Sequence, residues 1–330
     1  MIYEEHVLGN TGCLFLGGSC IPFYRISGKQ WILLDSGPRF IRQELAEYLQ
    51  QNEIRVRAVL CSHAHFDHTE NNRYLQERFG AKIVMSAFDA GCVYDTTALK
   101  GCFYSYTGHD NEIYNQEMLC RADRIFAPWQ QQIEVEGAVF DVLSLPGHAA
   151  SHLGYVTPDG AAYLADSIFS AGAAGAEKPV YMLNWTEALK TLEMIRGYCY
   201  KKYILAHGGV YDEIEGLAEE NLHQCRLLLD GFYELFTEPV TLDEVVQKSA
   251  GRYHFPLKNY EKARIFERMI RSMTEYLLEK GSIIPEIEKG VVVYRTNYSG
   301  RFAGDHSAAG TGPAAGKSAG FRFQSRYRPI

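Results

Sequence analysis

No stretch of this chain is apolar for long enough to cross a bilayer. The N-terminal run Met1-Ile2-Tyr3-Glu4-Glu5-His6 has neither the positive start nor the apolar core of an export signal. A cytoplasmic protein with no membrane attachment is expected. Among the eight cysteines (Cys13, Cys20, Cys61, Cys92, Cys102, Cys120, Cys199, Cys225) there is no C-x-x-C pair and no regular spacing, so reduced thiols are expected. An excess of positive charge is also missing: the formal net charge is -7, which disfavours a nucleic-acid partner unless basic residues gather on one face. Phosphate-binding loops are absent too. Gly17-Gly18 and residues 170–175 lack the Lys-Ser/Thr ending, and no G-x-G-x-x-G follows a strand.

What is present is an ordinary globular composition, with 46% hydrophobic and 22% charged residues, able to bury a substantial core. At 330 residues, one large catalytic domain plus a smaller module is the natural division. Apolar runs at residues 31–34, 56–61, 82–85, 139–145, 154–157, 161–164 and 203–206 read as strands. Helical periodicity falls between them at 40–50, 69–79 and 186–198, which makes the class α/β. Residues 89–132 interrupt this rhythm with Tyr94, Tyr104, Tyr106, His109, Tyr114 and Trp129, the composition of a lid or an interface insertion. Beyond residue 212 the pattern turns helical (213–236, 242–249, 260–280) before a closing strand at 290–294, and residues 299–330 read as a disordered tail rich in Gly, Ala and Ser.

The chemistry concentrates in His63-Ala64-His65-Phe66-Asp67-His68, directly behind an apolar strand. In an extended segment side chains two apart share a face, so His63 and His65 can converge on one ion while a turn aims Asp67 and His68 at a second. Imidazole and carboxylate without thiolate suit a catalytic ion, zinc first, with iron or manganese as alternatives. Further candidate ligands stand at the ends of later strands: His148, Asp166 and His207. Cys61 and Ser62 flank the motif, and the buried-packing account of Cys61 is preferred to a nucleophile. His109 and His152 are held as possible substrate contacts only.

With these motifs in this order, residues 1–230 resemble the metallo-β-lactamase superfamily in its glyoxalase II-like branch. The resemblance implies a four-layer αβ/βα sandwich followed by a small, mostly helical, winged-helix-like module (231–298). It implies His63, His65 and His148 on a first metal, Asp67, His68 and His207 on a second, Asp166 bridging the two, and Asp35 supporting the site from behind. Many members follow the histidine motif with a small residue pair, where this chain has Thr69-Glu70-Asn71-Asn72.

The expected activity is hydrolysis of a small thioester or ester by hydroxide shared between two divalent ions, with Asp67 able to pass a proton to the leaving group. A phosphodiesterase or ribonuclease is the alternative: Arg252, Lys258, Lys262, Arg264, Arg268 and Arg271 make the C-terminal module locally basic, although a solvated helix face explains them more simply. A non-catalytic binding protein is the third reading. A small-molecule substrate is the expected partner and RNA a disfavoured one; the sequence does not fix an oligomeric state.

Overall fold

The structure is a computed structural model that describes residues 2–102, 107–127, 129–175 and 178–297. Two mixed sheets form its centre. The first runs in chain order through β1 (Tyr3–Leu8), β2 (Thr11–Leu16), β3 (Ser19–Ser27), β4 (Gln30–Leu34), β5 (Arg55–Leu60), β6 (Lys82–Ser86) and β7 (Arg124–Phe126). Its first four strands pair antiparallel, and β4 to β7 pair parallel. The second sheet holds β8 (Gln132–Val135), β9 (Ala138–Ser144), β10 (Leu153–Val156), β11 (Ala161–Ala165), β12 (Lys202–Leu205) and β13 (Gly209–Tyr211) in reverse order, with β13 at one edge and β8 at the other.

Alternation along the strands explains the layering. In β4, Ile32 and Leu34 face the second sheet, joining Ala58, Leu60, Phe140, Tyr155, Tyr163 and Ile204 in the inter-sheet core. Trp31 and Leu33 face the other way, against α1 (Arg42–Gln51), α3 (Asn72–Phe79) and α4 (Ala87–Cys92). The outer face of the second sheet, with Val156, Ala162, Leu164, Tyr203 and Leu205, packs on α7 (Trp185–Arg196) and α8 (Glu215–Tyr233). The order helix, sheet, sheet, helix is the expected four-layer sandwich.

Three expectations are corrected. The single helix at 69–79 is two, the one-turn α2 (Phe66–Thr69) and then α3, because the Asn71 side chain is spent on the backbone carbonyls of Ser36, Gly37 and Pro38. Cys92 and Cys102 are not free thiols: α4 and α5 (Thr96–Cys102) bring their Cα atoms to 5.9 Å and a disulfide joins them. The boundary drawn between residues 230 and 231 falls inside α8, and one apolar cluster runs unbroken from Leu145 and Leu164 through Leu222 and Phe232 to Phe266, Ile270 and Ile283. That cluster joins α9 (Leu242–Arg252), α10 (Tyr260–Glu279) and the hairpin β14–β15 (Ile283–Glu288, Val291–Thr296) to the second sheet.

The 89–132 stretch forms α4 to α6 (Gly108–Tyr114), a short 3-10 turn at Gln116–Met118 and β7. Tyr104, Tyr106 and the tail 299–330 lie outside the described residues. Among the described residues no helix is long and apolar enough to cross a membrane.

Candidate metal centre

The candidate ligands stand in the connections that leave β5, β9, β11 and β12, with Asp67 and His68 in the one-turn α2. β5 ends at Leu60, and residues 61–65 stay extended before α2 turns the chain. The extended part carries His63 and His65; the turn carries Asp67 and His68. The His65 carbonyl ties the two parts together, accepting from His68 N, Thr69 N and Thr69 Oγ1. Residues 69–72, the departure from the family pattern, thus have definite roles. Thr69 closes the turn, Asn71 fastens it to the Asp35 loop, and Asn72 Nδ2 donates to Cys61 Sγ in the core.

His148 follows β9. Gly147 before it has φ +136°, and a Cβ there would lie 2.4 Å from Ala188 Cα, so α7 closes onto this loop only because residue 147 is glycine. The Gly147 carbonyl in turn accepts from Leu183 N and Asn184 N. Asp166 follows β11, where Ala165 has φ +48°, a left-handed conformation that costs on the order of 1 kcal/mol for a residue with a Cβ. His207 follows β12 and is 47% exposed at its side chain.

The donor atoms fall into two groups, His63–His65–His148 and Asp67–His68–Asp166–His207, each with its atoms within 4.8 Å of one another. His65 Nδ1 is 2.9 Å from both His63 Nε2 and His148 Nε2. Asp166 touches both groups: Oδ2 is 3.1 Å from His68 Nε2 and 3.5 Å from His148 Nε2, and Oδ1 is 3.7 Å from His207 Nε2. Asp67 Oδ2 is 3.0 Å from His207 Nε2.

Hydrogen bonds behind the ligands decide what these atoms offer. Ser62 Oγ donates to Asp35 and sits 3.0 Å from His63 Nδ1, so His63 donates from Nδ1 and presents a lone pair at Nε2. His148 Nδ1 faces the Tyr181 carbonyl at 3.1 Å, which likewise turns a bare Nε2 toward the group. Between these two lone pairs His65 Nδ1 can satisfy at most one with a proton, so the trio is mutually repulsive until a cation enters. Burial and the neighbouring imidazoles hold His63 well below the usual histidine range. Burial and His148, with Arg268 adding to them, do the same for His65, and burial lowers His148. Neutral imidazoles are the form that binds a metal. In the second group burial opposes charge, yet Asp166, Asp67 and Asp35 lift His68 well above its ordinary value, and His68 with His148 and His207 draws Asp166 well below its own. The donor set therefore fits divalent cations in both groups.

Asp35, at φ +65°, is the hub behind the site. Its Oδ1 accepts from Ser62 N at 2.7 Å; its Oδ2 accepts from Ser62 Oγ at 2.6 Å, His68 Nδ1 at 2.8 Å and Tyr163 Oη at 2.7 Å. The sequence did not point to Tyr163, Tyr181 or Asp89. Asp89 accepts from Ala64 N at 3.0 Å between two candidate ligand histidines, and its only trace in sequence is Ser86 three residues earlier, whose hydroxyl caps α4 and bonds the same carboxylate. Neither His152 nor His109 lines the pocket beside the candidate ligands. His152 is buried against His63 and accepts from Asp166 N, while His109 stands exposed on α6 beside Glu112.

A pocket of about 300 Å³ opens onto the two groups, lined by His65, Asp67, His148 and Asp166 on one side and by Asn115, Met118, Tyr181, Ile265 and Arg268 on the other. A second, more open cleft of about 460 Å³ reaches His207 past Gly17, Gly18 and Ser170.

Comparison with known proteins bears on the family and the fold. A hydroxyacylglutathione hydrolase of Shewanella baltica is 28% identical over 164 residues, covering 49% of this chain and 53% of that protein. One from Chromohalobacter salexigens is 24% identical over 143 residues, covering 43% and 44%. A lactamase-like protein of Emericella nidulans is 24% identical over 235 residues, 70% of this chain and 64% of that one. The chain thus spans about half the length of the hydroxyacylglutathione hydrolases it matches. Among solved structures, a metallo-beta-lactamase family protein of Thermus thermophilus superposes with TM-score 0.65 at 17% identity, covering 90% of this chain and 98% of that one. A beta-lactamase domain protein of Burkholderia ambifaria gives 0.65 at 16%, covering 89% and 93%, so both share the fold. The profile of the metallo-beta-lactamase superfamily matches residues 21–207, from β3 through the last candidate ligand, and the chain belongs to that superfamily.

Proposed function

We propose that this chain is a hydrolase of small thioesters or esters that works with two divalent metal ions. The observation that carries the proposal is a pair of neighbouring donor groups, with Asp166 of the second 3.5 Å from His148 of the first, beside a pocket of about 300 Å³. His63, His65 and His148 would hold one ion; Asp67, His68 and His207 the other, with Asp166 between them. Zinc suits this set, and iron or manganese can replace it. When bound, such ions polarise a carbonyl and make a water-derived nucleophile available near neutral pH.

The protein supplies the rest. Asp35 and the Tyr181 carbonyl fix the imidazole orientations. Asp67, partly exposed in the pocket wall, is able to pass a proton to a leaving group. Phe66, Met118 and Ile265 give the pocket apolar walls that limit water. A volume of about 300 Å³ suits a small molecule. Three of the six residues of the C-terminal basic cluster are paired with carboxylates, Arg252 with Glu234 and both Arg264 and Arg271 with Glu267, which weakens the case for RNA beside a small substrate. Hydroxyacylglutathione, which the similar hydrolases are named for cutting, is a thioester, and this supports the same substrate class here. A cytoplasmic setting belongs to the same reading and is supported by the six free thiols, against which the Cys92–Cys102 bond stands.

The test is a panel of thioesters, esters, lactones, phosphodiesters and single-stranded RNA, offered to metal-loaded protein with Asp67→Ala as control. Thioester or ester turnover that the control lacks supports the proposal. Cleavage of RNA alone, or no turnover at all, refutes it.

A further inference from the structure

Among the described residues one disulfide, Cys92–Cys102, joins α4 to α5, and the other six cysteines are free thiols. α4 is six residues long, and its first turn reaches the first donor group from behind. Asp89 Oδ1 accepts from Ala64 N at 3.0 Å, between His63 and His65. Asp89 Oδ2 accepts from Ser86 Oγ at 2.6 Å, and Ser86 Oγ lies 2.9 Å from Ser151 Oγ, three residues past His148. All three of these side chains are buried, so the bonds are made in a medium less polar than water and are costly to leave unmade. One short helix therefore fastens both of the loops that carry His63, His65 and His148.

The other end of the helix is Cys92, 3% exposed and in the same apolar cluster as Leu99 and Met118. Its partner Cys102 closes α5, a seven-residue helix whose one buried side chain is Leu99. Helices of six and seven residues do not persist without packing, so opening the bond frees the end of α5 and uncovers the end of α4. In a reducing compartment, which the free thiols favour, a disulfide is more often a redox sensor than a staple. We propose that the Cys92–Cys102 bond is a redox switch on the first metal position: closed, it holds α4 against the two loops; open, it lets His63, His65 and His148 drift apart. Opening needs a dithiol. Its first thiolate attacks Cys102 Sγ, the more exposed of the pair, and Cys92 leaves; its second thiol displaces Cys102, so that two protein thiols form and the dithiol becomes a disulfide. The inference rests on the two-metal reading and adds a control to it.

The test compares native protein oxidised with glutathione disulfide and native protein reduced with dithiothreitol, each desalted under argon before use. In denaturant the thiol count should rise from six to eight on reduction. Titrated with zinc against a chromophoric chelator, the reduced form should bind one of its two ions about tenfold to a hundredfold more weakly. Cys102→Ser, which cannot close the bond, should match the reduced form whether or not dithiothreitol has been applied. In metal-free protein, hydrogen exchange of the Ala64 amide should quicken by about tenfold on reduction, while the amides of β11 keep their rates. Equal zinc affinity of the two forms, unchanged exchange at Ala64, or eight thiols after oxidation overturns the proposal. If Cys102→Ser does not fold, the native comparison decides alone. Protein that takes up no zinc in either form refutes the metal centre instead, and the Ala64 exchange, read without metal, still separates a bond that grips the loop from one that does not.

Discussion

Replacing Asp35 by Asn tests how the site is held together, because the substitution keeps size and tolerates the left-handed backbone while removing the charge. Four donors converge on this carboxylate, three of them on Oδ2. An asparagine that puts its oxygen where Oδ2 was keeps those three bonds but turns its amide group toward Ser62 N–H. One buried donor is then left facing another, which costs about 1–3 kcal/mol. Each surviving bond also loses its ionic assistance, about 1 kcal/mol apiece, against which the relieved burial of a charge returns part. A net loss of about 3 kcal/mol is expected in urea denaturation of chelator-treated protein, where no bound metal can mask it. Zinc affinity should fall tenfold to a hundredfold as well, since His68 loses the anion that orients it. Destabilisation below about 1 kcal/mol together with unchanged zinc binding would show that the hub carries neither load.

Other outcomes follow from the same geometry. Gly147→Ala drives a methyl group into Ala188 at a backbone angle suited to glycine, and should lower stability by about 2–4 kcal/mol and weaken metal binding by moving His148; a melting curve and metal uptake matching the native protein would contradict this. Stripping the metals should lower the melting temperature, because at a thousandfold excess over Kd a ligand adds about 4 kcal/mol per site, and an unchanged melting temperature would count against a metal centre. Asp89, buried and so pushed up to about 7, stays protonated in the folded chain where the unfolded chain has ionised. Its contribution is therefore complete below about pH 4 and is lost as pH rises toward 7, by up to about 4 kcal/mol. In chelated protein Asp89→Asn should flatten that decline, and a decline as steep as the native one would show that Asp89 is not its source.

The candidate ligands were legible because each follows an apolar run that ends abruptly, and because His63 to His68 compress two geometries, extended and turned, into one short motif. The layers were legible from alternation in segments such as 31–34 and 161–164. What stayed hidden was whatever depends on distant partners. The antiparallel strands β1 to β3 contain Gly12, Gly17, Gly18 and Pro22, in or between them, which break the apolar pattern while the fold buries their neighbours on both faces. Tyr163, Tyr181 and Arg268 look like ordinary strand, loop and helix residues until the sheets and α10 bring them beside the histidines. The Cys92–Cys102 bond has a ten-residue separation that fits no recognisable spacing and becomes visible only once α4 and α5 are folded.

The unbroken apolar cluster from Leu145 to Ile283 bears on how this molecule can be cut or recombined. Ending the chain near residue 230 would sever α8 and strip Phe236, Phe266 and Ile270 from the residues they cover, so the shortened protein would present greasy surface and aggregate. An exchange of C-terminal segments between relatives would have to carry the whole of α8 across with them.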